Sequence, residues 1–234
     1  MLAASSVPAL AAGPSPSPAV TPPAGTLGGP RNRALGLGEP RDPEPFTLEQ
    51  RLLEAVRQND RATIERAIER GATLAAKDDL QRSTVLLAVK DAGDLGLVRW
   101  LHEKGAVLDE PDLGGRTPLS FAAALGHREI ARYLVEHGAA VDRRDMNQRT
   151  ALFQAALGNH PDVIALLAEH GADPNVRDKF QDTPLIVACA KGNAAAAARL
   201  LALGADPGLR DQEGRTARER SAPGTAPCLG PAPE

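Results

Sequence analysis

A single period constrains this chain more than any other feature. Thr84, Thr117, Thr150, Thr183 and Thr216 recur every 33 residues, and a second comb of Gly-Ala pairs (Gly71-Ala72, Gly105-Ala106, Gly138-Ala139, Gly171-Ala172, Gly204-Ala205) runs beside it. The pairs are also 33 apart, except that one extra residue separates the first two; the spacing places it among Leu74 to Asp79. A fixed period of this size belongs to small units that cannot bury their apolar faces alone and must stack. Such a stack offers a binding surface more readily than an active site.

One unit shows the local logic. In Arg116-Thr117-Pro118-Leu119-Ser120-Phe121-Ala122-Ala123 the threonine hydroxyl can cap a helix start, and Pro118 then occupies the first helical position, where no amide hydrogen is needed. Thr183-Pro184-Leu185 repeats the arrangement. The predicted helix ends at a column holding Asn59, Gly93, Gly126, Asn159 and Gly192, the two residue types that best tolerate a left-handed cap. A second helix follows, as over Arg128 to His137, with an apolar column of Leu101, Leu134, Leu167 and Leu200. Between each Gly-Ala and the next threonine lies a polar segment, such as Ala140 to Arg149, suited to a projecting turn. The expected fold is all-α: a solenoid of stacked helix-turn-helix repeats with projecting β-hairpin-like turns.

The pattern G-x-T-P-L-x-x-A-A-x-x-G-H followed by L-x-x-x-G-A, met by Gly115 through His127 and on to Leu134 and Gly138-Ala139, resembles the ankyrin repeat. The resemblance runs from about Phe46 to Arg220 and implies five repeats with the start of a sixth, and a non-catalytic protein-interaction function. The column that holds histidine after T-P-L in that family here holds Leu87, Ser120, Phe153 and Ile186, so packing must replace its hydrogen bonds. Thr47-Leu48-Glu49-Gln50 has capping-box spacing and opens the first repeat. Thr216 to Arg220 reads as a short, charged sixth helix that shields the last apolar face, and a monomer is expected.

The flanks differ in composition. Ten of the 20 prolines precede Phe46, and no charged residue precedes Arg31; residues 1–45 and 221–234 read as disordered around a 46–220 repeat domain. Leu2 to Ala12 is a short apolar block ending near an A-x-A-like Ala9-Leu10-Ala11, but it lacks a basic n-region. If it is a signal remnant the protein is secreted or periplasmic; if it is an ordinary leader the protein is cytoplasmic. Cys189 reads as a buried, inert thiol and Cys228 as a tail residue, with no disulfide framework. A net charge of −3 and a pI near 6.0 make no case for nucleic acid, and no apolar run is long enough for membrane insertion.

No phosphate loop, H-E-x-x-H or C-x-x-C pattern is present, and no cofactor is implied. His127 and His160 share one column, and His137 and His170 another. Stacked columns lie about 8–10 Å apart, against metal–nitrogen bonds of about 2 Å, so both pairs read as structural. A charged constellation remains. Asp112, Asp145, Asp178 and Asp211 form a column at the turn tips, Arg144, Arg177 and Arg210 precede three of them, and Arg116, Arg149, Asp182 and Arg215 form a third column. Residue by residue these read as a solvated ladder contributing little to stability. As a surface they suggest a groove edge, with Leu113, Arg116, Met146, Arg149, Arg177, Phe180 and Lys191 contacting another protein beside the inner-helix face of Ala124, Leu125 and Leu157. The partner expected from this edge carries acidic and apolar groups. The alternative is a structural spacer or tether with no specific ligand.

Overall fold

Hydroxyl and carboxylate caps set where seven of the ten described α-helices begin. The computed structural model describes residues 46–221 and Cys228; the expectations for the leader and for most of the tail lie outside the described residues. The helices are α1 (Leu48–Arg57), α2 (Arg61–Glu69), α3 (Thr84–Leu87, continued by a π-helical turn over Ala88–Ala92), α4 (Leu95–Glu103), α5 (Pro118–Leu125), α6 (Arg128–Glu136), α7 (Ala151–Leu157), α8 (Pro161–Glu169), α9 (Pro184–Lys191) and α10 (Ala194–Ala202). Thr117, Thr150 and Thr183 each accept a hydrogen bond from the amide three residues on, and Thr47 closes a capping box with Gln50. All five members of the Gly/Asn column have positive φ, as do the glycines of all five Gly-Ala pairs.

The helices form two layers. Odd-numbered helices pack on one another in chain order, α4, α6, α8 and α10 do likewise, and each pair α1/α2, α5/α6, α7/α8 and α9/α10 joins the layers. The core between them is aliphatic: Leu101, Leu134, Leu167 and Leu200 are fully buried, as are Leu52, Ile64, Leu119, Leu152 and Ile164. The column that lacks histidine packs instead. Phe153 and Ile186 are buried, and Ser120 Oγ donates back to Thr117 O at 2.8 Å.

Two expectations about registers are corrected. The extra residue lies within a helix, not among Leu74 to Asp79. The first turn spans Asp78 to Arg82 as later ones span Asp112 to Arg116, and Ser83, not Thr84, accepts the capping amide of Leu86. Counted from Ser83, the helix must carry one more residue to reach Gly93, and the π-helical turn absorbs it, with Gly93 N donating to Ala88 O at 2.9 Å. Thr84 keeps the comb by numbering alone; its hydroxyl donates to Leu74 O. At the other end the expected sixth helix is a single turn: Arg220 N donates to Thr216 O, and Glu219 folds back on Thr216. Five residues cannot extend a helix whose nucleation is costly without a further packing face.

The cysteines are a third correction. Cys189 is not a free thiol: it is fully buried and bonded to Cys228 in a disulfide, with a Cα–Cα separation of 5.3 Å.

Candidate protein-interaction surface

Each projecting turn is organised by its column aspartate. Oδ1 of Asp112 accepts the amides of Gly114 and Arg116, Oδ1 of Asp145 those of Asn147 and Arg149, Oδ1 of Asp178 those of Phe180 and Asp182, and Oδ1 of Asp211 those of Glu213 and Arg215; Asp78 does the same in the first turn. These paired bonds hold the third residue after each aspartate in the left-handed region, at Gln81, Gly115, Gln148, Gln181 and Gly214. For the three glutamines that conformation costs about 1–2 kcal/mol each, so the turn needs its aspartate. Gly115 has a further reason: a Cβ there would lie 3.2 Å from Asp145 Cα.

The aspartates are therefore not a solvated ladder. Asp112, Asp145, Asp178 and Asp211 are buried, and arginines answer most of them. Arg116 donates to Asp112 Oδ2 at 2.8 and 3.0 Å and lies over the Phe121 ring. Asp182 stands where its column otherwise has arginine, and Arg149 compensates by reaching into the next repeat, to Asp178 Oδ2, across the ring of Phe153. Arg215 and Arg220 both meet Asp211. Asp182 itself faces Arg220 at 3.9 Å with its Oδ1 buried and without a hydrogen bond among the described residues; burial pushes its carboxyl above the usual range, against the opposing pull of Arg220.

Backbone bonds tie neighbouring tips together: Leu113 N to Leu80 O (2.8 Å), Met146 N to Gly114 O (2.9 Å), Lys179 N to Asn147 O (3.0 Å) and Gln212 N to Phe180 O (3.2 Å). Arg144 and Arg177 reinforce this by donating to the carbonyls of Arg177 and Arg210. Along the resulting rim stand Leu80, Leu113, Met146 and Phe180, exposed by 47, 60, 73 and 48%. Leu125 is also exposed on α5, and Lys191 on α9. Of the residues predicted from the sequence, Leu113, Met146 and Phe180 thus stand together as an apolar row, Arg177 lies beside it, Lys191 projects from the end of α9, and Arg116 and Arg149 are engaged with buried carboxylates. Leu80 was missed because the misplaced insertion hid its turn position; counted from Asp78, it matches Phe180 counted from Asp178.

The N-terminal end of the same face differs. A cleft of about 840 Å³ opens between α1 and the first turn, lined by Phe46, Leu53, Glu54, Arg57, Asp78 and Leu80 among others. Charges in its lining answer one another: Asp78 takes Arg57 at 2.8 Å and Arg82.

One histidine column bolts repeats together. His160 Nε2 donates to Ala124 O at 3.0 Å, and Asn193 in the same column donates to the carbonyls of Ala156 and Leu157. His127 packs against Gly93, and burial, with His160 beside it, holds its pKa below the ordinary value. His137 and His170 turn Nδ1 onto carbonyls of their own helices. Among the described residues no three metal-ligating side chains converge, and no helix is long and apolar enough to cross a membrane.

Two helical layers with stitched, projecting turns define a helical repeat solenoid. A family model described as ankyrin repeats (3 copies) matches residues 52–145, 85–178 and 140–211, and the chain belongs to the ankyrin repeat family. Ankyrin repeats are generally protein–protein interaction modules. No curated protein matches the chain.

Proposed function

We propose that this protein is a non-catalytic interaction module that holds a segment of another protein along its turn tips and the adjoining exposed strip of the odd-numbered helices. The observation that carries the reading is the rim of Leu80, Leu113, Met146 and Phe180, four exposed apolar side chains on turns whose own interiors are polar. Their hydration is unfavourable, and a spacer or tether would gain nothing from it; methionine and phenylalanine are enriched at interface centres. Arg177 and Lys191 supply charge beside the row, joined by Arg144 and Lys179, none of which meets a carboxylate among the described residues. The preferred partner segment presents apolar side chains to the rim and carboxylates to these cations. Arg116 and Arg149 shape the edge from their places on the buried aspartates, and Leu113 stands in the row between Leu80 and Met146.

The test is direct. Once a partner has been isolated with the native protein, its affinity for Met146→Ala/Phe180→Ala is compared with wild type by calorimetry. A loss of at least about tenfold with an unchanged melting midpoint is expected. Equal affinity would move the site away from the tips.

A further inference from the structure

The column six residues beyond each capping threonine holds Ala123 in α5, Ala156 in α7 and Cys189 in α9, all fully buried. α5 is followed in its layer by α7, and α7 by α9, but among the described residues no helix follows α9 in that layer, where Thr216 to Arg220 forms only one turn. Cys189 is nevertheless buried, bonded to Cys228, which packs against the core at the end of the stack. An end repeat must hide its last apolar face from water, and here a covalent bond helps to do what a sixth helix would have done.

We propose that this cystine is a thiol–disulfide latch on the C-terminal end of the solenoid, closed in an oxidising environment and opened by a dithiol reductant. The chemistry is ordinary exchange. A reductant thiolate attacks Sγ of Cys228, the half-buried member of the pair, forming a mixed disulfide and expelling Cys189 as a thiolate that takes up a proton. The reductant's second thiol then displaces Cys228 and leaves the reductant oxidised. Two electrons and two protons pass to the protein, and two free thiols result. Opening removes the only covalent tie across a sequence separation of 39, and the loss is local because a repeat array opens from its ends in units. The latch therefore sets the stability of α9 and α10, and with them the end of the rim that carries Phe180 and Lys191.

Hydrogen exchange read by mass spectrometry tests this on the full chain, as isolated under oxidising conditions and after dithiothreitol treatment. Thiol titration in denaturant should find no free thiol before reduction and two after. On reduction, amides of residues 184–202 should exchange at least about tenfold faster while those of residues 48–69 keep their rates. Cys228→Ser and Cys189→Ala should both show the fast pattern without reductant; alanine at 189 is what the column already holds at Ala123 and Ala156, so that variant should fold. Two free thiols in the untreated protein, unchanged exchange over 184–202, or equal acceleration at both ends would each overturn the latch.

Discussion

Arg149→Ala separates the structural arginines from the surface ones. In the folded protein Nε and Nη2 of Arg149 donate to Asp178 Oδ2 at 3.1 and 2.9 Å, and the Asp178 side chain is wholly buried. No second arginine replaces it, because the residue four beyond Asp178 is Asp182. Breaking one side of a buried charge pair typically costs about 3–5 kcal/mol. Two features reduce the figure: Asp178 Oδ1 keeps the amides of Phe180 and Asp182, and Arg149 is about a quarter exposed, so water can reach the vacated place. A loss of about 2–4 kcal/mol is expected, including the stacking on Phe153. With a urea dependence of about 2 kcal/mol per molar, the midpoint measured by circular dichroism should fall by roughly 1–2 M. Arg177→Ala, whose side chain among the described residues bonds only Gln181 and a carbonyl, should stay within about 0.5 kcal/mol of wild type. Arg149→Glu would set a carboxylate against Asp178 and fare worse than alanine. The sequence-based expectation that charges on this edge contribute little to stability is therefore corrected for Arg149, which pairs with a buried carboxylate. An Arg149→Ala midpoint indistinguishable from wild type would refute the buried-pair argument.

Two further outcomes follow from packing and from burial. Leu167→Ala empties a fully buried site and should cost about 2–5 kcal/mol, more than Gly138→Val, which has open space around its Cβ and pays only for its positive φ; the reverse order in denaturant midpoints would show the columns to be misread. Asp182→Asn should hold or raise stability at neutral pH, because it removes a buried charge whose Oδ1 has no hydrogen bond among the described residues. The sign is set by the raised carboxyl: wild type bears the full penalty of the ionised form above the folded pKa and sheds it as pH falls through that value toward the unfolded 3.8. The advantage of asparagine should shrink over that acidic window, and a destabilised Asn variant at neutral pH would mean that the Arg220 contact outweighs burial.

The parts of this molecule that were legible in its sequence are those decided within a few residues. A threonine that caps, a proline at the first helical position and a glycine with positive φ are local requirements, and the structure places them at Thr117, Pro118 and Gly126 as their spacing implied. What escaped depended on choices that local chemistry leaves open. Ser83 and Thr84 can both cap a helix, so the numerical comb favoured the wrong one; the deciding term was the first turn, where Asp78 and Arg82 fix the register and force the extra residue into a π-helical turn. Arg149 and Arg116 share a column yet bind carboxylates in different repeats, because the partner of Arg149 is chosen by what stands at Asp182, 33 residues away. The disulfide lay furthest from reach, since pairing depends on where the chain returns in space and not on the spacing of two cysteines. The same division separates the candidate site into two kinds of residue. Met146 and Phe180 were legible as rim residues because a turn tip exposes whatever it carries. Arg116 and Arg149 were not legible as scaffold, because a charge at a turn looks the same in sequence whether it faces water or a buried aspartate. Residues of the first kind can change to suit a partner without disturbing the stack, whereas those of the second kind cannot. In the function proposed above, specificity is assigned to the apolar tips and the cations beside them, on a frame of buried aspartates that the turns require.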